Sequence, residues 1–563
     1  MHSPIQAWST VSRQLREHRS LPGPTILVVI FIALGQVASR SATWNIVDFG
    51  AVPNATQDAA PAIQKAIEAA SAGDTVSLPA GTFLVSATLR AKSGVKLQGV
   101  GSEQTVIGFN GDRETDIFDL SGTRNVDLSG FTIDGRGNAK AHDGIFARTG
   151  SGHFLHQLTI QNLGSPNGPL GIHFVGTDGN HTNGVSDCVI ADNTIRNIGL
   201  TSEWGGGIRL SWGSSRNQIL RNVVDNTGRG GIFADNGSMD LVIRSNTVSR
   251  SGRKDSKLGI EIWEACDRSV IEDNHLDHWL SISGCSQVAA RRNTISDTSG
   301  DIGFLGLEVI ARDVVVTGNR VDGGQQIGIS VSNDAYNQRQ YCAHNLVQNM
   351  VQWGAQLQGD KTGARMLYYY QNQFLTTQRG NPAAIYPGAD GRGFRFNGNC
   401  QQVTLDSNEI SRNSAEGLEL GGTGLDQISI VNNRICANAF AAVTGNPGAD
   451  LEWTNNLVAG NGKDTQLVSL SFADHQPKAE FACPPQASAG IPAKFTNRSH
   501  APGGSIEHVL WDFGEGVPNT LPGGVHTYSQ PGTYLVTLIV WDNHGRGAIE
   551  ERSLAVGPGG QKR

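Results

Sequence analysis

The chain has 563 residues, with 44 Lys and Arg against 51 Asp and Glu, a formal charge of −7, 71 glycines, 20 prolines and seven cysteines. Charged residues make up only 17%, which excludes long charged disordered tails, and the glycines follow no three-residue period, which excludes collagen. The negative balance offers nucleic acid or an anionic membrane no global attraction, so neither is an expected partner.

Arg13, Arg16 and Arg19 precede an apolar run from Thr25 to Leu34 and the small residues Val37, Ala38 and Ser39. That order reads as a secretory signal over 1–40, with an apolar run shorter than the about 20 residues of a membrane span. An uncleaved anchor is the alternative, because the basic region is long. Removal of the signal leaves 40 basic against 50 acidic residues. The expected protein is secreted (extracellular, periplasmic or at the cell surface), monomeric and without an integral membrane span.

Asp58, followed by Pro61 in the first turn, opens a helix whose Ile63, Ala66, Ile67 and Ala70 share one face. Such a helix would cover the open edge of the sheet that follows. Beyond it, a strand-like unit ending in Asn recurs at Asn193, Asn222, Asn246, Asn274, Asn293, Asn319, Asn372, Asn408, Asn433 and Asn456, mostly every 19 to 29 residues. Units of that size hold two or three short strands and tight turns but no long helix. Asn tolerates left-handed backbone, and stacked Asn side chains form ladders that satisfy buried amides. Leucine-rich repeats, the rival reading, need helices and spaced leucines that are absent. The pattern predicts an all-β, parallel β-solenoid.

Upstream of most of these asparagines stands Gly-Ile-x-apolar or a close variant, at Gly171, Gly207, Gly231, Gly259, Gly306, Gly328, Gly354, Gly393 and Gly417. Alternate strand residues share a face, so the Ile and the last apolar residue point inward. The outward positions then form one column: His173 and Val175; Arg209 and Ser211; Phe233 and Asp235; Glu261 and Trp263. Ser281 and Ser283 follow, then Glu308 and Ile310, Ser330 and Ser332, Gln356 and Gln358, Arg395 and Asn397, Glu419 and Gly421. With Trp279-Leu280-Ser281-Ile282 supplying the strand between Gly259 and Gly306, two intervals are longer, 36 residues before Gly207 and 39 before Gly393. They hold Trp204 and the tyrosines from Tyr368, which are expected to wall a cleft.

The seven scattered cysteines contain no Cys-x-x-Cys pair, so zinc and thioredoxin-like chemistry have no support. Cys266 and Cys285 lie one repeat apart and could bridge; small buried apolar side chains are the plainer reading. After a composition shift at 473–478 comes a second β pattern, in which Tyr534, Val536, Leu538 and Val540 alternate after the Pro531-Gly532 turn.

VDFGA (47–51), AIQKAIEAA, VSLPAGTF (76–83) and LQGVGSEQTVI (97–107) resemble the start of the pectate-lyase-superfamily domain of rhamnogalacturonase- and epimerase-like proteins. The resemblance implies a right-handed parallel β-helix (pectin-lyase-like) with an N-terminal capping helix over 44–475, and carbohydrate polymers as substrates. WDFGEG (511–516), HTYSQPGTYLVTLIVWDNHG (526–545) and RSLAV resemble a PKD domain, an immunoglobulin-like sandwich placed at 476–558 before a short tail at 559–563. That resemblance implies an accessory or spacer module.

Candidate catalytic residues follow from the column. Asp235 and Glu261 sit on adjacent coils, at a spacing open to both glycosidase geometries, with Glu308 in reserve. A lyase or epimerase would instead need a cation for the substrate carboxylate and a base for the proton beside it, for which Arg209 and His173 are the candidates. Trp263, Trp204, Gln356, Arg395, Asn397 and Glu419 are candidate substrate-binding residues. The polygalacturonase signatures are absent. No cofactor is required by the sequence, no metal ligands stand out, and Ca2+ has no support. The expected function is lyase or epimerase action on an acidic polysaccharide. The alternatives are a glycoside hydrolase with paired carboxylates and a non-catalytic glycan-binding adhesin.

Overall fold

The computed structural model describes residues 41–559 except 178–181, 255–256, 297–301, 333–336, 360–363, 385–387, 389, 423, 447–449, 466 and 468–474. The expected signal and all but the first residue of the expected 559–563 tail lie outside the described residues. Among them, no helix is long and apolar enough to cross a membrane.

The repeats fold into stacked three-strand coils. In one coil, Gly230–Asp235 belongs to a first sheet, Val242–Arg244 to a second and Thr247–Ser249 to a third. Each strand pairs in parallel with its counterpart one coil on: Ile232 with Ile260, Ile243 with Ile271, Val248 with Leu276. The inward residues form one continuous core, including Ile172, Ile208, Ile232, Ile260 and Ile282. The motif glycines are dictated by crowding. A Cβ at Gly207 would lie 2.4 Å from both the Gly231 carbonyl oxygen and Val224 Cγ1, so only hydrogen lets the first and third sheets close. At the N-terminal end Ala60–Ala69 is the predicted helix, with Pro61 in its first turn and Ile63, Ala66, Ile67 and Ala70 buried in the same core.

The asparagines form the predicted ladder inside the turn between the second and third sheets. Asn246 Oδ1 accepts from Asn222 N (2.9 Å) and Asn222 Nδ2 (3.0 Å), while Asn246 Nδ2 donates to the Ile219 carbonyl (2.9 Å) and to Asn274 Oδ1 (3.0 Å). The ladder runs unbroken from Asn193 to Asn456 through Asn345, which the sequence pattern passes over. The left-handed backbone falls one residue earlier than expected. Asp192, Arg221, Ser245 and Asp273 have φ of 58°, 53°, 57° and 58°, whereas the ladder residues do not. The side-chain amide needs an ordinary backbone to reach along the stack, and its predecessor makes the turn.

All seven cysteines are free, and six, including Cys266 and Cys285, are buried. The expected wall of tyrosines is also corrected. Arg365–Tyr370 is an ordinary strand of the second sheet; Tyr369 is in the core and Tyr368 faces the C-terminal module. Tyr386 lies outside the described residues.

Residues from Phe481 onward form a separate sandwich of a three-stranded antiparallel sheet and a four-stranded sheet around Trp511, Phe495, Val536, Leu538 and Val540. The opposite face of the strand Gly532–Asp542 is also covered. Ile539 and Trp541, with Leu510, pack on Val315, Tyr341 and Tyr368 of the second sheet. Arg291, 1% exposed, donates to Asp512 Oδ1 (2.5 Å) and to the Gly516 carbonyl (2.7 Å) across this contact.

Asn274→Ala removes the acceptor of both Asn246 N and Asn246 Nδ2 and the donor to the Ile243 carbonyl. At roughly 1–3 kcal/mol for each buried group left unpaired, the substitution lowers unfolding free energy by about 3 kcal/mol, read as a fall in the guanidinium midpoint at constant slope.

Candidate active site

The outward column of the first sheet is realised in the predicted register. His173 pairs with Arg209, Arg209 with Phe233, Phe233 with Glu261, Glu261 with Ser281 and Ser281 with Glu308. The row continues through Ser330, Gln356 and Arg395 to Glu419. His173 and Glu308 are five strand spacings apart, about 24 Å at about 4.8 Å each. The candidates therefore form three groups along one face.

The first group is His173, Arg209 and Asp235. Asp143, fully buried just before Gly144, accepts from His173 Nδ1 (2.8 Å) and, through its other oxygen, from Leu170 N (2.8 Å). A carboxylate so held fixes the imidazole tautomer and leaves the lone pair of neutral His173 on Nε2. Phe146 sets the ring edge-on, with centroids 5.4 Å apart. On the next strand, Arg209 Nε and Nη2 both lie 2.9 Å from Asp235 Oδ2, and Asn236 donates to Asp235 Oδ1. Nη1 of Arg209 has no hydrogen-bond partner among the described residues. The guanidinium lies 5.5 Å from the centroid of Phe233.

In the middle group Glu261 pairs with Arg229 Nη2 at 3.3 Å, and Arg229 stacks 4.8 Å over Trp204. Trp204, 59% exposed, thus ties its loop to the row, and Trp263, 44% exposed, stands beside Asp235. Glu308 differs from the other two carboxylates in having no arginine among its contacts. Burial, aided by the charge of Glu261, raises its pKa above the ordinary 4.5, although Ser281 Oγ (2.7 Å) and Ser332 Oγ (3.3 Å) donate to it. Asp235 and Glu261 are thus each held by an arginine, and the perturbed carboxyl is Glu308.

In the third group Glu419 lies between Arg395 Nε (2.8 Å) and Arg392 Nε (3.1 Å), and Arg395 stacks 4.6 Å over Trp353. Gln356 donates to Gln358 (3.3 Å), its own buried Oε1 has no partner among the described residues, and Asn397 pairs in register with Gln358.

Asp143 and Arg229 escaped the sequence reading. The signal for Asp143 was present, since Gly144-Ile145-Phe146-Ala147 is one further copy of the Gly-Ile motif, and the aspartate stands directly before it. Asp116, His142 and Asp143 are the described side chains whose candidate metal-ligating atoms lie within 4.8 Å of one another. Burial works against charge on His142. A hydrogen bond to Asp116 and the charges of Asp143, Asp116 and Glu114 outweigh it, and its pKa is raised to about 9. At neutral pH this imidazolium itself balances the neighbouring carboxylates.

Three family models match the chain: "Rhamnogalacturonase A/epimerase, pectate lyase-like" over 43–117, "Right handed beta helix region" over 116–278 and "PKD domain" over 474–555. The mannuronan C5-epimerase AlgE3 of Azotobacter vinelandii is 38% identical over 116 residues, covering 18% of this chain and 6% of that protein. The chain thus spans a small fraction of that relative. Among solved structures, the A-module of mannuronan C-5 epimerase AlgE4 from the same organism shares 18% identity at a TM-score of 0.38, covering 76% of this chain and 98% of the module. The PKD1 domain of the Vibrio cholerae metalloprotease PrtV shares 29% identity at a TM-score of 0.14, covering 15% of this chain and 98% of the domain. The solenoid is a right-handed parallel β-helix, and the C-terminal sandwich is a PKD domain.

A carboxyl whose folded pKa is raised is neutral at low pH and costs stability as pH rises above its unfolded value, near 4.5. Glu308→Gln is therefore more stable than the parent at pH 8 and indistinguishable from it at pH 4, in thermal unfolding followed against pH.

Proposed function

We propose that the protein is a carbohydrate-active enzyme acting on a uronate-containing polysaccharide by proton abstraction beside the carboxylate, leading to epimerisation or elimination. The His173–Asp143 pair next to Arg209 carries this reading. A general base needs a fixed tautomer and an accessible lone pair, and Asp143 provides for both by holding Nδ1. The carboxylate of the substrate must be neutralised to stabilise the charge that develops when the adjacent proton leaves. Arg209 stands one strand away, oriented by Asp235, with Nη1 to offer.

In this mechanism His173 Nε2 takes the proton from the carbon beside the carboxylate while Arg209 holds that carboxylate. Return of a proton from the opposite face inverts the centre; loss of the neighbouring glycosidic oxygen gives an unsaturated sugar and a new chain end. The polymer runs along the row, stacking on Trp204 and Trp263 and reaching Gln356, Arg395, Asn397 and Glu419 farther on. The partial identity to a mannuronan C5-epimerase supports a uronate substrate, and a secreted location agrees with such a polymer. No step in this reading uses a metal.

A second reading rests on Glu308. Its raised pKa suits a general acid, and Glu261, two strands away and paired with Arg229, suits a base, the split required for glycoside hydrolysis.

The two are separated by following ultraviolet absorbance, reducing ends and C5 configuration on a panel of uronate polymers and neutral polysaccharides. With a uronate polymer, absorbance rises with reducing ends, or configuration changes with neither. His173→Gln lowers kcat about a hundredfold or more, and Arg209→Ala lowers kcat/KM while Glu308→Gln leaves turnover within about threefold. Reducing ends without absorbance, lost in Glu308→Gln and retained in His173→Gln, would overturn the reading in favour of hydrolysis.

A further inference from the structure

We propose that the cleft between the second sheet of the β-helix and the PKD domain is a separate binding site for a neutral hexopyranose chain. It encloses about 720 Å³, within the size range of ligand sites, and lies at a domain interface, where such sites collect. Its helix wall is built on the ladder that pairs Val270–Glu272 with Ala289–Arg291, whereas His173 pairs with Arg209 on the other ladder of the coils, and none of the residues of the proposed chemistry lines it.

The helix wall of the cleft is a fixed polar array. Glu272, 2% exposed, accepts from Arg244 Nε (2.7 Å) and Arg292 Nη2 (2.9 Å), and Arg292 Nε also reaches Asp273 (2.8 Å). Arg291, 1% exposed, is held by Asp512, yet its buried Nε has no hydrogen-bond partner among the described residues. On the PKD wall, Glu515 accepts from Ser529 N (2.7 Å) and Ser529 Oγ (2.8 Å), and Glu551 accepts from Tyr341 Oη (2.8 Å). Tyr534 offers a half-buried ring, its hydroxyl donating to the Gln530 carbonyl (2.9 Å).

Rigid carboxylates and guanidinia set side by side both accept from and donate to sugar hydroxyls, and a tyrosine ring supplies an apolar platform. Such preorganised groups lose little side-chain freedom when a ligand arrives. Charge selects the kind of sugar. Five carboxylates face three arginines, so a uronate would add a like charge in a partly desolvated cleft, whereas an uncharged sugar meets no such repulsion. The polymer held here thus differs from the acidic one proposed for the first sheet. The PKD domain then acts as half of a binding site and not as a spacer.

Calorimetric titration of the full chain with β-1,4-linked gluco- and manno-hexaose, α-1,4-linked glucohexaose and an oligouronate tests this. Binding of at least one neutral hexaose is expected, weakened at least tenfold by Thr533→Trp, which fills the cleft from an exposed position, and by Tyr534→Ala. It is unchanged in His173→Gln, so the result is independent of the proposed chemistry. Absence of binding by all three neutral hexaoses at about 1 mM, the weak end of specific recognition, overturns the proposal. So does neutral binding indifferent to Thr533→Trp, or an oligouronate that binds in His173→Gln and is displaced by Thr533→Trp.

Discussion

Everything in this molecule depends on stacking coils in register, so that each turn satisfies the polar backbone of the next. The bonds between strands do this along the sheets, where parallel neighbours lie about 4.8 Å apart. The turn between the second and third sheets has no ladder of its own and sits against the core. There the asparagines substitute for it, each presenting an oxygen to the amide of the preceding coil and a nitrogen to its carbonyl. A buried amide left unpaired is costly, so the ladder fixes both the register and the number of residues allowed between coils. Once register is fixed, the outward side chains fall into rows, and a functional face follows from stacking alone.

Along that face, charge is arranged mostly as self-contained pairs. Asp235 belongs to Arg209, Glu261 to Arg229 and Glu419 to Arg395 and Arg392. Each pairing fixes a planar guanidinium and lets it lie against Phe233, Trp204 or Trp353. A row of this kind suits a polar polymer along its length without attracting any one ion strongly. The chemistry we propose is drawn from the exceptions. His173 is tied at one nitrogen and, among the described residues, open at the other, and Glu308 is half-buried beside two serines.

The solenoid and its outward column were legible because both follow from short-range rules: the repeat sets the stacking and strand alternation sets the face. What those rules do not carry was missed. Asp143 and Arg229 reach the row from outside the strand alternation, so only the folded coil shows them beside His173 and Glu261. The length of the 39-residue interval before Gly393 suggests a cleft wall. The interval contains two ordinary strands, Arg365–Tyr370 and Gln373–Leu375, and Tyr369 is fully buried. Asn345 stands in the 53-residue gap between Asn319 and Asn372 of the sequence pattern, and its side chain makes the same bonds as the rest.

The C-terminal domain makes the same point about the second face of a strand. Alternation in Gly532–Asp542 places Val536, Leu538 and Val540 on one face, which is the sandwich core, and says nothing of what covers the other. Ile539 and Trp541 are buried against Tyr341 and Tyr368, and Thr537 stands over Glu551. A two-faced apolar strand in a small sandwich implies a partner surface, since one sheet face must otherwise expose a tryptophan. Here the partner is the β-helix itself, and the buried Arg291–Asp512 pair sets the orientation of the contact. Such a pair is weak evidence for stability but costly to mismatch. It favours one docking geometry over a sliding one, and a defined geometry is what allows residues from both domains to line a common cleft.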